Sequence, residues 1–356
     1  MRDYGKEEAE MKKKFLLVCS GLFILWAFWF IENSLYLKLK LAMFGSGCRV
    51  GIAVLSGDKI LTVGKGAMPL MSVFKMFVAL NVLEHQEKDK VLTVTEEMIN
   101  RDTYSPMLKD YPVVPFKISV AELLKYMVSA SDNNATDILL ALGGGIRATQ
   151  DYVRGLGFPG IVLKVNEQKM HEDIRNQYLN RAVPADVVKL LRVVREGERL
   201  TNENKRFFEA LMMETVTGVD KIKKYLPSNV VVGHKTGSSD RLENGIKIAD
   251  NDVGFIRLPD GREYYLSVMI ADSPMSDRDN AELIRGYLKS FIGILKKIGG
   301  FEDLKFLISI ERRYGTFVNP GGFICYLPAL MLLATSLRAM TTATVTSSAT
   351  PAWKLW

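Results

Sequence analysis

Hydrophobic positions along the chain change period several times, and each change marks an element. Phe15 to Phe30 is an uninterrupted uncharged run preceded by Lys12-Lys13-Lys14. From Arg49 the pattern is β-rich. Arg49-Val50-Gly51-Ile52-Ala53-Val54-Leu55, the turn Ser56-Gly57-Asp58 and Ile60-Leu61-Thr62-Val63 read as a hairpin. A spacing of three and four residues then takes over and predicts helices at Ser72–Gln86, Ser119–Ser129, Ala135–Leu142, Gly145–Leu156, Pro184–Glu196 and Asn202–Met213. Strand patterns return at Asn229–Lys235, Ile246–Leu258 and Glu263–Ala271, with Asp260-Gly261 as a hairpin turn between the last two. An amphipathic helix over Asp279–Ile298 follows.

Strands at both ends with helices between them predict an α+β fold. It is a three-layer α/β/α sandwich whose antiparallel sheet is closed by early and late strands, with an all-helical subdomain inserted in the middle. Three regions result: a leader and lead-in over 1–48, a globular region over 49–298 and an atypical tail over 299–356.

The basic run before the apolar stretch reads as a secretory signal, or as a membrane anchor if uncleaved. It is short for a spanning helix, which needs about 17–25 residues. It predicts a periplasmic or secreted protein, or one anchored in the inner membrane. The tail has no acidic residue after Glu311 and ends in a Thr/Ser/Ala-rich stretch. A disordered extension, a membrane-associating segment and an out-of-frame translation all fit it.

Composition narrows the function. The 356 residues are 48% hydrophobic and 24% charged, with a net charge of +7. The basic balance lacks the aromatic set or zinc-finger spacing of a nucleic-acid binder, so no nucleic-acid partner is expected. Cys19, Cys48 and Cys325 make no disulfide framework, and His85, His171 and His234 make no H-E-x-x-H zinc site. No metal and no organic cofactor is expected. Nothing suggests a coiled coil, so the default is a monomer.

Three short motifs carry the chemistry. Ser72-Val73-Phe74-Lys75 lies in a segment otherwise apolar all round, so the lysine is expected to be buried, where lysine is rare unless paired or functional. Positions i and i+3 share a helix face, which brings amine to hydroxyl. Alone the motif is weak: Ser56-Gly57-Asp58-Lys59 matches it and reads as a surface turn. Ser131-Asp132-Asn133 sits between two predicted helices. It reads equally as a helix N-cap, through Asp132 or Asn133, or as a proton carrier with a substrate-holding amide. Lys235-Thr236-Gly237 ends a strand and suits an anionic substrate against its edge, the glycine permitting close approach; an ordinary strand-to-turn transition would look the same.

The joint pattern is more specific than any member. S-x-x-K, S-D-N and K-T-G occur in this order, with Glu167 lying 36 residues after Ser131 and 68 before Lys235. From about residue 49 to 298 the chain resembles a class A serine β-lactamase. Tyr104-Ser105-Pro106-Met107 resembles the family's active-site tyrosine loop, and Asn166-Glu167-Gln168-Lys169-Met170-His171 its Ω-loop. His171 and His234 resemble the extended-spectrum cephalosporinase branch.

The resemblance implies hydrolysis of the β-lactam amide of penicillins or cephalosporins through a serine acyl-enzyme, and hence antibiotic resistance. The implied nucleophile is Ser72. Lys75 and Glu167 contend as acylation base, and Glu167 would activate the deacylating water. Ser131 would relay a proton to the lactam nitrogen, and His171 would orient the water. The N–H groups of Ser72 and Ser238 would form the oxyanion hole. Asn133 would hold the substrate amide, with Tyr104 beside it, and Lys235, Thr236 and Ser238 would face the substrate carboxylate, Gly237 permitting its close approach.

Asn244 stands where many members carry a carboxylate-binding arginine, and Lys221 where the related branch does. Carboxylate binding is expected to be weaker, or to be shared by Arg241. The alternative is a membrane-anchored penicillin-binding protein or β-lactam sensor that acylates without efficient turnover. Glu167 at this spacing argues against the penicillin-binding protein, while the anchor-like N-terminus keeps the sensor open.

Overall fold

The structure is a computed structural model that describes residues 46–64 and 66–297, together with residues 15, 18–20, 22 and 43. The leader's cleavage or anchoring, Cys325 and the 299–356 tail lie outside the described residues. Among the described residues no helix is long and apolar enough to cross a membrane.

A five-stranded antiparallel sheet organises the molecule. Its strands are β1 (Arg49–Ser56), β2 (Lys59–Val63), β7 (Val231–Ser238), β8 (Lys247–Arg257) and β9 (Glu263–Ser273), in spatial order β2-β1-β9-β8-β7. Early and late strands meet at β1–β9, where Ile52 opposes Val268 and Val54 opposes Leu266.

Strand alternation produces the three layers. Tyr265, Met269 and Ala271 of β9 join Ala53 and Leu55 of β1 in the main core. The intervening Tyr264, Leu266, Val268 and Ile270 face the other way and are also buried. Helix α7 (Pro184–Glu196) packs on β1 and β9, with Pro184 against Gly51. The C-terminal α9 (Asp277–Lys297) packs on β8 and β9, burying Ala281, Ile284, Tyr287 and Leu288.

Between β2 and β7 lie the helices: α1 (Lys75–His85), α2 (Met107–Asp110), α3 (Val120–Ser129), α4 (Asn133–Leu142), α5 (Gly145–Gly155), α6 (Glu167–Glu172), α7 and α8 (Asn202–Met213). Their starts are chemically marked. Ser119, Asp132, Asn166 and Thr201 each accept a hydrogen bond from the backbone N–H three residues on, and Pro184 sits in the first turn of α7.

The structure adds two small sheets that the pattern did not predict. One joins β3 (Met68–Pro69) to β6 (Arg181–Ala182), the other β4 (Val91–Val94) to β5 (Phe116–Ser119). Strands of two and four residues are too short to show alternation.

Candidate active site

The site begins with a bend. Met71 has φ +48°, a left-handed conformation unusual for a side-chain-bearing residue. Met71–Phe74 then forms a 3-10 turn, and α1 starts only at Lys75. A 3-10 turn has three residues per turn, so side chains at i and i+3 eclipse. Ser72 and Lys75 therefore leave the same side of the chain. Lys75 is fully buried, as its apolar surroundings predicted, while the decoy Lys59 ends the exposed β1–β2 turn, opposite Ser56.

Lys75 is the hub. Its Nζ donates to Ser131 O at 2.7 Å and to Asn133 Oδ1 at 2.6 Å, with Ser131 Oγ at 3.5 Å. Glu167 Oε1 lies 3.0 Å away, yet the angles make no hydrogen bond, so the contact is an ion pair only. That oxygen is buried and keeps an unfilled acceptor position among the described residues.

The Ser131-Asp132-Asn133 segment bears out the N-cap reading of its motif, through Asp132. Ser131 adopts φ +62°. Asp132 caps α4 by accepting from Ala135 N–H at 2.8 Å, and it also accepts from Ser105 Oγ and Met107 N–H at 2.8 and 2.7 Å. Burial still pushes its carboxyl up, against those hydrogen bonds. Asp132 thus holds the Tyr104 loop. The carbonyl of Tyr104 accepts from Asn133 N–H at 3.0 Å, and its ring stands 56% exposed at the rim. Asn133 Nδ2 donates to Thr103 Oγ1 at 2.8 Å and lies 3.3 Å from His171 Nε2.

Glu167 is placed by a segment folded back on itself. Val162 and Arg181 bridge its ends through paired backbone bonds of 2.8 and 2.9 Å. Inside, the fully buried Asn180 accepts from Lys164 N–H and Val165 N–H and donates to Val165 O. Its own carbonyl accepts from Leu70 N–H at 2.8 Å, tying this segment to the turn that carries Ser72. At the start of α6, Asp137 of α4 accepts from Glu167 N–H, Gln168 N–H and Asn166 Nδ2 at 2.9, 2.9 and 3.0 Å. Burial nevertheless pushes the Asp137 carboxyl up to about 6. His171 Nε2 stands 3.7 Å from Glu167 Oε2, and its Nδ1 3.9 Å from Asp240 Oδ2.

Strand β7 supplies the opposite wall. Among the described residues it is an edge strand that pairs only with β8, and alternate residues turn their backbone groups outward. Ser239 N–H donates to Ala249 O directly opposite, so Ser238, one residue earlier, faces its N–H away from β8. Thr236 and His234 follow the same phase: their carbonyls accept from Lys235 Nζ at 3.0 Å and Thr215 Oγ1 at 2.6 Å. Lys235 is fully buried and donates to Ser131 Oγ at 2.9 Å. Burial drives its ammonium well below the ordinary lysine range. The Lys75 charge adds to this, and the Glu167 and Asp252 carboxylates oppose it. His234 is buried away from solvent, its Nδ1 2.9 Å from Asp252 Oδ1.

The expected stand-ins for the missing arginine are otherwise engaged. Arg241 donates to Asp277 Oδ1, Gly245 O and Met275 O. Lys221 is buried in a pair with Asp250. Asn244 occupies the exposed turn before β8, where its side chain accepts from Ile246 N–H. Sequence reasoning also missed Thr217, whose hydroxyl meets that of Thr236 at 2.7 Å, and the supporting Asp137, Asn180 and Asn251.

A serine on a strained turn, a buried amine, a carboxylate ion-paired to it and an outward-facing N–H edge are the parts that acyl transfer to a serine requires. Comparison with known proteins agrees. A family model described as the beta-lactamase enzyme family matches residues 38–287. A beta-lactamase of Bacteroides uniformis is 42% identical over 67% of this chain and 84% of its own length. Beta-lactamase VEB-1 of Pseudomonas aeruginosa is 33% identical over 78% of this chain and 96% of its own. A class A beta-lactamase from Bacteroides cellulosilyticus superposes with a TM-score of 0.71 at 38% identity, covering 74% of this chain and 99% of that one. The chain belongs to the class A beta-lactamase family.

Proposed function

We propose that the protein hydrolyses the amide of β-lactam antibiotics through an acyl-enzyme on Ser72, and so confers resistance. The supporting observation is the single amine of Lys75. It binds Ser131 and Asn133 and lies 3.0 Å from the Glu167 carboxylate, so residues more than 90 positions apart meet at one point.

Ser72 Oγ attacks the lactam carbonyl, and its proton passes to Lys75 or Glu167, which face each other across 3.0 Å. Charge developing on the carbonyl oxygen is met by the N–H groups of Ser72 and Ser238, each such donor being worth about 3 kcal/mol of barrier. Ser131 Oγ, between the amines of Lys75 and Lys235, passes a proton to the departing nitrogen. An anionic substrate then adds a counter-charge at Lys235, with the Thr236 hydroxyl beside it. Deacylation needs a water held by a base, and the unfilled Oε1 of Glu167 is such an acceptor. A leader that directs export would deliver the enzyme to the periplasm, where these drugs arrive.

Glu167→Ala provides the test. With a chromogenic cephalosporin, the unmodified protein is expected to turn over steadily. The variant is expected to give one stoichiometric burst and an acyl adduct on Ser72, visible by mass spectrometry. Steady turnover by the variant would refute the role of Glu167. A burst without turnover by the unmodified protein would instead support the sensor reading.

A further inference from the structure

Beneath the nucleophile turn lies a residue with no part in the chemistry above. Asn251 is fully buried in β8, the middle of Asp250-Asn251-Asp252. Its Nδ2 donates to Pro69 O at 2.8 Å and to Leu70 O at 3.1 Å, the two carbonyls just before Met71 with its φ of +48°. Leu70 is thereby held on both sides, since its N–H donates to Asn180 O.

Directly across the strands from Asn251 is Gly237. Opposed residues of an antiparallel pair project from the same sheet face. A Cβ on Gly237 would lie 2.5 Å from Leu70 O and 3.1 Å from Met71 Cβ. One member of the pair leaves room for the turn, and the other supplies the donor that holds it there.

This arrangement is costly for the sheet. A buried strand position favours β-branched residues. Asn251 Oδ1 has no hydrogen-bond partner among the described residues, an expense for a buried carbonyl. Departures of this kind from local consistency gather at functional sites.

We propose that Asn251 is a positioning residue of the oxyanion hole. By holding Pro69 O and Leu70 O against Gly237, it fixes the spacing between the Ser72 N–H on the turn and the Ser238 N–H on β7. It does so without touching substrate. The assignment rests on the acyl-enzyme reading above.

The test uses the full chain carrying Asn251→Leu, close in size but without donors, and Asn251→Asp. Kinetics with a chromogenic cephalosporin are compared with the inhibition constant of a boronic acid, whose tetrahedral adduct on Ser72 uses the same two N–H groups. For misplaced donors, kcat is expected to fall about 100-fold with KM nearly unchanged, and the boronic acid to weaken by a similar factor. A merely structural role would lower the melting temperature while leaving kcat per folded molecule and boronate affinity intact, and that result would overturn the assignment. If neither variant folds, the unmodified protein decides the matter. The side-chain amide resonances of Asn251 are expected to shift when the boronic acid binds, and unmoved resonances would count against the proposal. No turnover by the unmodified protein would overturn the hydrolase reading itself. Turnover by both variants with the kcat of the unmodified protein would overturn only the role of Asn251.

Discussion

Charge at the centre of the site is balanced residue by residue, and Asp137 is where that balance becomes measurable. Its carboxyl, pushed to about 6 by burial, holds three donors at the start of α6. The folded state therefore binds a proton more tightly than the unfolded chain. This group's contribution to stability is full below about 3.9 and is lost as pH rises through about 6. Activity should run the other way. Protonation converts one acceptor oxygen into a donor facing N–H groups, which loosens Glu167. We expect kcat to decline as pH falls through about 6 at the deacylation step, and Asp137→Asn to flatten that limb at a lower plateau. A pH–rate profile of both proteins, with acyl-enzyme quantified at each pH, checks this. An identical acid limb in the variant would remove Asp137 from the explanation. Ser72, Lys75, Ser131, Glu167 and Lys235 could be found from the sequence because motif order and spacing carry them. Asp137 could not, because its role is to bind backbone N–H groups that only the fold brings to it. The polar triplet Asp250-Asn251-Asp252 inside a predicted strand was a signal that could have been used.

At the level of elements, the site is a junction between a strand edge, a 3-10 turn and the folded-back segment from Val162 to Arg181. The segment is held chiefly by polar groups. Asn180 makes three side-chain hydrogen bonds within it and one backbone bond to Leu70. We expect Asn180→Leu to remove the three side-chain bonds and leave the part-buried N–H groups of Lys164 and Val165 without that partner, at a cost of about 3 kcal/mol. A urea titration reads that loss as a lower midpoint with an unchanged slope. Because the same segment carries Glu167, the acyl-enzyme should also live at least about tenfold longer, a shift of roughly 1.4 kcal/mol in barrier. An unstable variant with normal deacylation would show that the segment's placement does not depend on Asn180. The long helices α7 and α8 matched the predicted bounds because their apolar faces repeat over three turns. The α6 helix, of six residues, was read only as part of a loop, since its cap and dock come from Asn166 and Asp137 rather than from periodicity.

The whole molecule is closed by its late elements, which sets how much chain the site requires. Strand β1 pairs with β9 across more than 200 residues, so the sheet is incomplete until β9 is in place. Helix α9 then covers β8 and β9 and brings Asp277 to Lys247 and Arg241 at 2.9 and 2.5 Å. Four buried residues of α9, Ala281, Ile284, Tyr287 and Leu288, lose their burial if the helix is removed. Three of them are large, and at about 1.5–3 kcal/mol each the loss is roughly 5–9 kcal/mol. That is comparable to the entire stability of an ordinary domain, about 5–15 kcal/mol. A chain ending after Pro274 is therefore expected not to fold cooperatively. A chain ending after Lys297 keeps every described element of the sandwich. It is expected to match the full chain in turnover of the chromogenic cephalosporin and, within a few degrees, in melting temperature. Comparing the three lengths by circular dichroism and steady-state kinetics decides whether residues 298–356 matter to the hydrolase. Loss of turnover on stopping at Lys297 would assign them a part in the fold.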